Sequence, residues 1–196
     1  MKSLQESLFD SNIITKTINT YITDLKLVKS LIIDKLSNEF KCKVYKSSPD
    51  LNSISQNLFM YEKDSKWGDY RYHSVFVCFK LEDNPDNWAE LKITFSRDDN
   101  DAYFIQRIAL GTCDKEIIVL YTPGKIKGVE KYKSVSKLPV DGRLKSTNIN
   151  KVYDCIKDLI NKTQSFLENK ENMDVFTSND VSFLKQVSIL GKYFNK

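Results

Sequence analysis

From Asp69 to Thr122 the chain alternates apolar and polar residues through four successive runs: DYRYHSVFVCFKLED, WAELKITFS, AYFIQRIAL and EIIVLYT. They are separated by NPDN, RDDND and GTCDK. A period of two sends successive side chains to opposite faces of a strand, and each run ends in residues that favour turns. The stretch therefore reads as a four-stranded meander, and the rest of the chain must cover it or extend from it. In the first run His73, Val75, Val77, Phe79 and Leu81 share one face, while Tyr70, Tyr72, Phe76 and Cys78 share the other. In the second, Leu91, Ile93 and Phe95 point one way and Glu90, Lys92, Thr94 and Ser96 the other. The last run, Ile117 to Tyr121, is continuously apolar and belongs where both faces are covered. One face of the sheet is expected to take helices, and the other to be partly aromatic.

The flanks supply those helices. Ile14, Ile18, Tyr21, Leu25, Val28 and Ile32 follow a 4-3-4-3-4 spacing, with Leu36 one position late, which predicts a long helix over residues 13–40. Leu31 and Ile33 widen its apolar side beyond a coiled-coil seam, so it is expected to lie across the sheet. Lys41 to Lys46 alternates Lys with Cys42 and Val44, as suits a short edge strand whose lysines discourage further pairing. Residues 57–62 lean towards strand and 63–69, KDSKWGD, towards loop. Beyond residue 148, two amphipathic helices are predicted, the first from Ile149 to Leu167. The second is capped within Thr177-Ser-Asn-Asp180 and stopped by Gly191. The expected fold class is α+β: one domain over 1–196, with a mainly antiparallel sheet of about five strands within 41–122. A long N-terminal helix and two C-terminal helices pack on it.

Composition narrows the function classes. With 41% hydrophobic and 29% charged residues, and only 6 Gly and 4 Pro, the chain is an ordinary globular one. Cys42, Cys78, Cys113 and Cys155 stand 36, 35 and 42 residues apart beside a single histidine, His73, a pattern without zinc-knuckle or redox spacing. They are expected to be reduced thiols in a cytoplasmic protein, since MKSLQESLFD has no continuous apolar run of a signal peptide and no stretch is long enough to span a membrane. The net charge of +4 permits an anionic partner without requiring one.

The first ten residues, in which Ser3-Leu-Gln-Glu6 fits a capping box, carry a resemblance. MKSLQESLFD followed by a polar residue resembles the opening of many short proteins of phages and prophages of gut Bacteroidetes, including crAss-like phages. The resemblance implies a phage-encoded setting, and it brings no site residue with it.

Four constellations bear on chemistry. Glu90-Leu-Lys92 on a strand, with Asp69 upstream, matches the order of acidic residue and ExK pair in metal-dependent nucleases of the PD-(D/E)xK type. There a carboxylate and an ammonium on one strand face hold Mg²⁺ or Mn²⁺ and activate water. On a solvated strand, Glu and Lys alternate with core residues without any such role. Arg97 to Asp101 crowds three carboxylates but lacks the glycine and distal glutamate of a calcium loop, so it reads as a hairpin turn. Pro123-Gly124-Lys125 lacks the spacing of a phosphate loop, and His73 has no sequence neighbour that makes it part of a nucleophile. The fourth is a basic loop or arm over residues 123–148, with Lys125, Lys127, Lys131, Lys133, Lys137, Arg143 and Lys145 around Tyr132. Such a loop suits nucleic-acid phosphates or an acidic protein partner. Taken together, the sequence points to a non-enzymatic binding or assembly protein, a virion component or infection accessory factor, that works through a protein partner or as a homo-oligomer. The alternatives are the metal-dependent nuclease and an accessory nucleic-acid-binding protein.

Overall fold

A computed structural model describes residues 20–50, 53–81, 84–123, 143–178 and 180–195, with the backbone alone for 84–87. Its centre is a six-stranded sheet in sequential order: β1 (Val44–Tyr45), β2 (Leu58–Trp67), β3 (Tyr70–Leu81), β4 (Asn84–Arg97), β5 (Tyr103–Thr112) and β6 (Glu116–Tyr121). β2 to β6 form the antiparallel meander. β1 pairs with β2 in parallel, Val44 opposite Met60, so the sheet is mixed and has one strand more than the expected five. The edge strand predicted at residues 41–46 is present as those two residues. Asn84–Asn87, expected as a turn, belongs to β4.

The alternation in the central strands divides the core as the pattern requires. Val75, Val77, Phe79, Leu91, Ile93, Phe95, Ile105 and Leu110 are buried on one face, together with the helices. Those helices are α1 over residues 25–39, α2 (Ile149–Leu167), α3 (Lys170–Thr177) and α4 (Phe183–Phe194). α1 is far shorter than the predicted helix of residues 13–40. Its start is fixed by Asp24, whose side chain accepts a hydrogen bond from the Lys26 amide at 2.9 Å. Immediately before it, the Ile22 amide donates to the Leu144 carbonyl at 2.9 Å and the Ile22 carbonyl accepts from the Tyr103 amide at 2.8 Å. Residues 20–23 therefore pair with distant backbone, Tyr21 opposite Lys145, and cannot also be helical. Residues 1–19, with Ile14 and Ile18, lie outside the described residues.

Within α1, Lys29–Asp34 is a π-helical turn. A π turn holds an extra residue, which rotates the rest of the helix about its axis. Val28, Ile32, Ile33 and Leu36 are consequently all buried, and the late position of Leu36 in the stripe is absorbed.

The C-terminal part holds three helices where two were expected. Asn169 caps α3 over the KENMDVFT segment, its side chain accepting from Glu171 N at 2.9 Å, and Ser182 caps α4 by accepting from Lys185 N at 3.4 Å. Gly191 does not stop α4 but sits inside it, where a β-carbon would come 3.9 Å from Ile118 Cδ1 on β6. Asn148 precedes α2 and ties it to the sheet. Its Oδ1 accepts from Lys145 N at 2.8 Å, and its Nδ2 donates to the Arg143 carbonyl at 2.7 Å. Among the described residues no helix is long and apolar enough to cross a membrane.

Candidate functional site: the uncovered sheet face

Among the described residues all four helices pack on one side, and the opposite face meets only loops. Its β1-proximal end is closed by an aromatic cluster of Phe59, Tyr61, Phe76 and Trp88, with Cys78 and Ile54. Tyr61 and Phe76 stack at 4.4 Å and 5°. The loop carrying Ile54 is held by Lys80 Nζ, which donates to its carbonyl, and by Gln56, whose Oε1 accepts from Lys43 N at 3.2 Å.

Glu90 lies beneath this cluster, 7% exposed, opposite Cys78 on β3 and Gly111 on β5. Its Oε2 accepts from Trp88 Nε1 at 2.9 Å and from Tyr61 Oη at 3.0 Å. Burial raises its pKa against the lowering effect of those two donors, and burial together with the Glu90 charge raises that of Tyr61. The partners of this carboxyl are neutral side chains, and the arrangement is one of structural hydrogen bonding. Lys92, two residues on, reaches Glu116 Oε1 at 3.2 Å. Arg107 reaches the same carboxylate, Nη2 at 2.7 Å from Oε2.

The nuclease constellation is not brought together. Asp69 sits in the β2–β3 turn, nine residues along β3 from Cys78, the partner of Glu90. At about 3.3 Å per residue this separates them by about 30 Å. Among the described residues no group of three or more His, Cys, Asp or Glu side chains could hold a metal ion, so the residues present do not fit Mg²⁺ or Mn²⁺ at Glu90.

Two of the three carboxylates of the Arg97–Asp101 turn are engaged within the chain, Asp101 Oδ1 lying 3.3 Å from Arg97 Nη1. Asp98 Oδ1 accepts from Asn100 N and Ala102 N, both at 2.9 Å, and Asp98 Oδ2 is 3.0 Å from Arg143 Nε. His73, on the helix-covered face and 4% exposed, has Nδ1 2.6 Å from Asp64 Oδ1. Nε2 lies 3.2 Å from Glu62 Oε2, which also receives Lys29 Nζ. No hydroxyl or thiol nucleophile takes part in these contacts.

Of the basic loop, Lys125, Lys127, Lys131, Tyr132, Lys133 and Lys137 lie outside the described residues. Arg143 and Lys145 are described and belong to the body of the fold, not to an arm. Their backbones bridge to Phe104 and Tyr21, and their cationic groups lie 5.8 Å and 5.0 Å from the Tyr21 ring centroid.

The part of the face that stays open presents side chains that sequence patterning alone does not single out. β2 and β3 extend as a hairpin beyond β4, whose pairing with β3 begins only at Tyr72 and Ser96. The KDSKW segment, expected as loop, forms the end of β2. The turn is Gly68-Asp69, with Gly68 at φ +59°, a conformation that glycine adopts without a β-carbon penalty. Trp67 and Tyr70 face each other across it, 77% and 60% exposed. Below them a groove of about 610 Å³ runs over Tyr72, Ser74, Thr94 and Phe104 to Lys92 and Arg107. Its floor is polar, with Ser74 Oγ 3.2 Å from Thr94 Oγ1. On the reverse of the hairpin a second concavity of about 550 Å³ holds Lys66, Arg71 and Arg97. The sequence signal for this region is the W-G-D-Y stretch, two large aromatics flanking a glycine turn.

No family model, curated protein or solved structure matches this chain, so its function is read from its own side chains.

Proposed function

We propose that this chain is a non-enzymatic binding protein that acts in an assembly, through the uncovered face of its sheet and the β2–β3 hairpin. In keeping with the resemblance of its opening residues, we place it in a phage-encoded setting, in the host cytoplasm or in the virion. The observation that carries the reading is the exposure of Trp67 and Tyr70 at the tip of a paired hairpin, directly above an open groove. Large aromatics left in water cost hydrophobic free energy, of order 1.5–3 kcal/mol for a fully exposed side chain. Trp, Tyr and Arg are the side chains that dominate binding interfaces when a partner covers them. The nuclease alternative has less support, because its acidic residue stands far from Glu90 and the Glu90 carboxyl is occupied by Trp88 and Tyr61.

The test compares tagged wild type with a Trp67→Ala/Tyr70→Ala variant, purified from cells in which the protein is naturally made. Both side chains are exposed, so the variant should melt within a degree or two of wild type while losing its co-purifying partner. Equal retention of partners by the two proteins would overturn the reading, as would nucleic-acid cleavage that needs a divalent metal and disappears in Glu90→Gln.

A further inference from the structure

The structure assigns a ligand class to this face: we infer that it binds single-stranded nucleic acid, with bases stacked on Trp67, Tyr70, Tyr72 and Phe104. The inference rests on the reading that the uncovered face is a binding surface, and names what it holds. The spacing of the aromatics is the first argument. Trp67 and Tyr70 are direct cross-strand partners, and Tyr72 lies beyond Tyr70 on the same face, about 7 Å further along the strand. Tyr72 pairs with Ser96 and Ser96 with Phe104, so Phe104 lies two strand spacings, about 10 Å, from Tyr72. Four rings thus line one side of the sheet at intervals that successive unstacked bases can span. Every base has a π-face, so such a row accepts a strand without regard to sequence.

Charge is the second argument. Lys63 shares this face by the alternation of β2, and Lys92 and Arg107 border the groove. The carboxylate that meets these cations is that of Glu116, which Lys92 and Arg107 both contact. Phosphates would compete with Glu116 for two cations already positioned side by side, and Lys63 makes no ion pair among the described residues. Lys66 and Arg71, on the reverse of the hairpin, extend the positive field around its tip. The polar floor of the groove is the third argument. Ser74 and Thr94, whose hydroxyls bond to each other, and Gln106 make the lining polar, and the Gln106 amide can meet a base edge where an apolar peptide would offer it no partner. A duplex, its bases stacked on each other, offers no free base face to the rings. These features together favour a single strand over a protein segment.

The experiment titrates a labelled oligothymidylate, a matching oligouridylate and a duplex of the same length into the full-length protein, reading anisotropy and tryptophan emission. Of the two tryptophans, Trp67 is exposed and Trp88 buried, so quenching on binding reports on Trp67. The expected result is saturable binding of the single strands, weaker binding of the duplex, and quenched emission. Three neutralised phosphates at about 0.7 each give a slope of log affinity against log salt of about −2. Tyr72→Ala and Phe104→Ala should each weaken binding about tenfold or more. Lys63→Glu should weaken it further as salt falls, and Trp67→Phe should bind nearly as wild type. Should Phe104→Ala melt early, the exposed Trp67→Ala and Lys63→Glu carry the test. Equal affinity for duplex, no saturable binding at about 50 mM salt, or binding unchanged in Trp67→Ala and Lys63→Glu would overturn the inference. If those results come with a co-purifying protein lost from Trp67→Ala/Tyr70→Ala, nucleic acid is excluded and the binding face itself stands.

Discussion

Glu90 gives the sharpest test of how this sheet is held together, because two substitutions at one position separate its charge from its hydrogen bonding. Its Oε2 is the acceptor for both Trp88 Nε1 and Tyr61 Oη, and all three residues are buried. Glu90→Ala removes the acceptor and leaves both donors in a place that water does not reach. A buried donor without a partner costs about 1–3 kcal/mol, so the pair brings the loss to about 2–6 kcal/mol. In a domain of this size that lowers the melting midpoint by about 4–24 °C.

Glu90→Gln keeps a carbonyl oxygen for both donors and removes only the charge. Burial raises the pKa of Glu90 in the folded protein, so the folded state disfavours the carboxylate. The sign comes from linkage. Below the unfolded-state pKa both states are protonated and Glu90 has no pH-dependent effect. As the pH rises from there through the raised folded value the unfolded chain gains by ionising first. Stability falls, by about 1.4 kcal/mol for every pH unit separating the folded and unfolded pKa values. The Gln variant should therefore match wild type near pH 4 and exceed it at pH 7. Urea unfolding monitored by far-ultraviolet circular dichroism at both pH values measures this. Parallel pH profiles for wild type and Gln, or an Ala variant within about 0.5 kcal/mol of wild type, would refute the assignment.

Two further predictions concern glycine and cysteine. A β-carbon at Gly111 would meet the Lys115 carbonyl oxygen at 2.1 Å and Glu116 Cα at 2.8 Å, both backbone of the β5–β6 hairpin; Gly111→Ala should cost about 2–4 kcal/mol by chemical denaturation. At Gly191 the nearest atom is 3.9 Å away in mid-helix, so Gly191→Ala should instead stabilise by about 0.5–1 kcal/mol, and destabilisation there would show the helix packing to be misjudged. Native-state alkylation read by mass spectrometry should modify exposed Cys113 first. Cys42, pushed up to about 11 by burial, and Cys78, raised well above the ordinary thiol range by burial, should react only after unfolding; comparable rates at Cys42 and Cys113 would contradict their placement.

Period and composition make part of this molecule legible in its sequence. The face assignments of His73 to Leu81 and of Glu90 to Ser96 hold because alternation is a local property of one strand. The start of α1 is not legible. Tyr21 sits in perfect heptad spacing, yet its neighbour Ile22 is claimed by backbone more than 80 and 120 residues away, at Tyr103 and Leu144. The hairpin tip is hidden because Lys63 to Lys66 are exposed on both faces and show no alternation in hydropathy; only their pairing with Arg71 to Ser74 makes them strand. The Glu90–Lys92 spacing does place both on one face of one strand. The partners that set the role of Glu90 are not readable, because Tyr61 lies 29 residues away. Asn148, which locks α2 to the sheet edge through two side-chain hydrogen bonds, looks in the sequence like any polar residue before a helix.

The junction of Ile22, Tyr103 and Leu144 also fixes when the molecule can be completed. Ile22 N bonds to Leu144 O, Tyr103 N to Ile22 O, and Leu144 N to Tyr103 O, so three segments from the beginning, middle and last third of the chain close a single ring of backbone bonds. During synthesis the meander can form once residue 121 has left the ribosome, since it needs only local hairpins. The lead-in to α1 has no second backbone partner until residue 144 emerges. The first described segment of the chain is thus among the last to be secured, and a nascent chain ending before Leu144 would expose the amide of Ile22 and the carbonyl of Tyr103 to whatever else could pair with them.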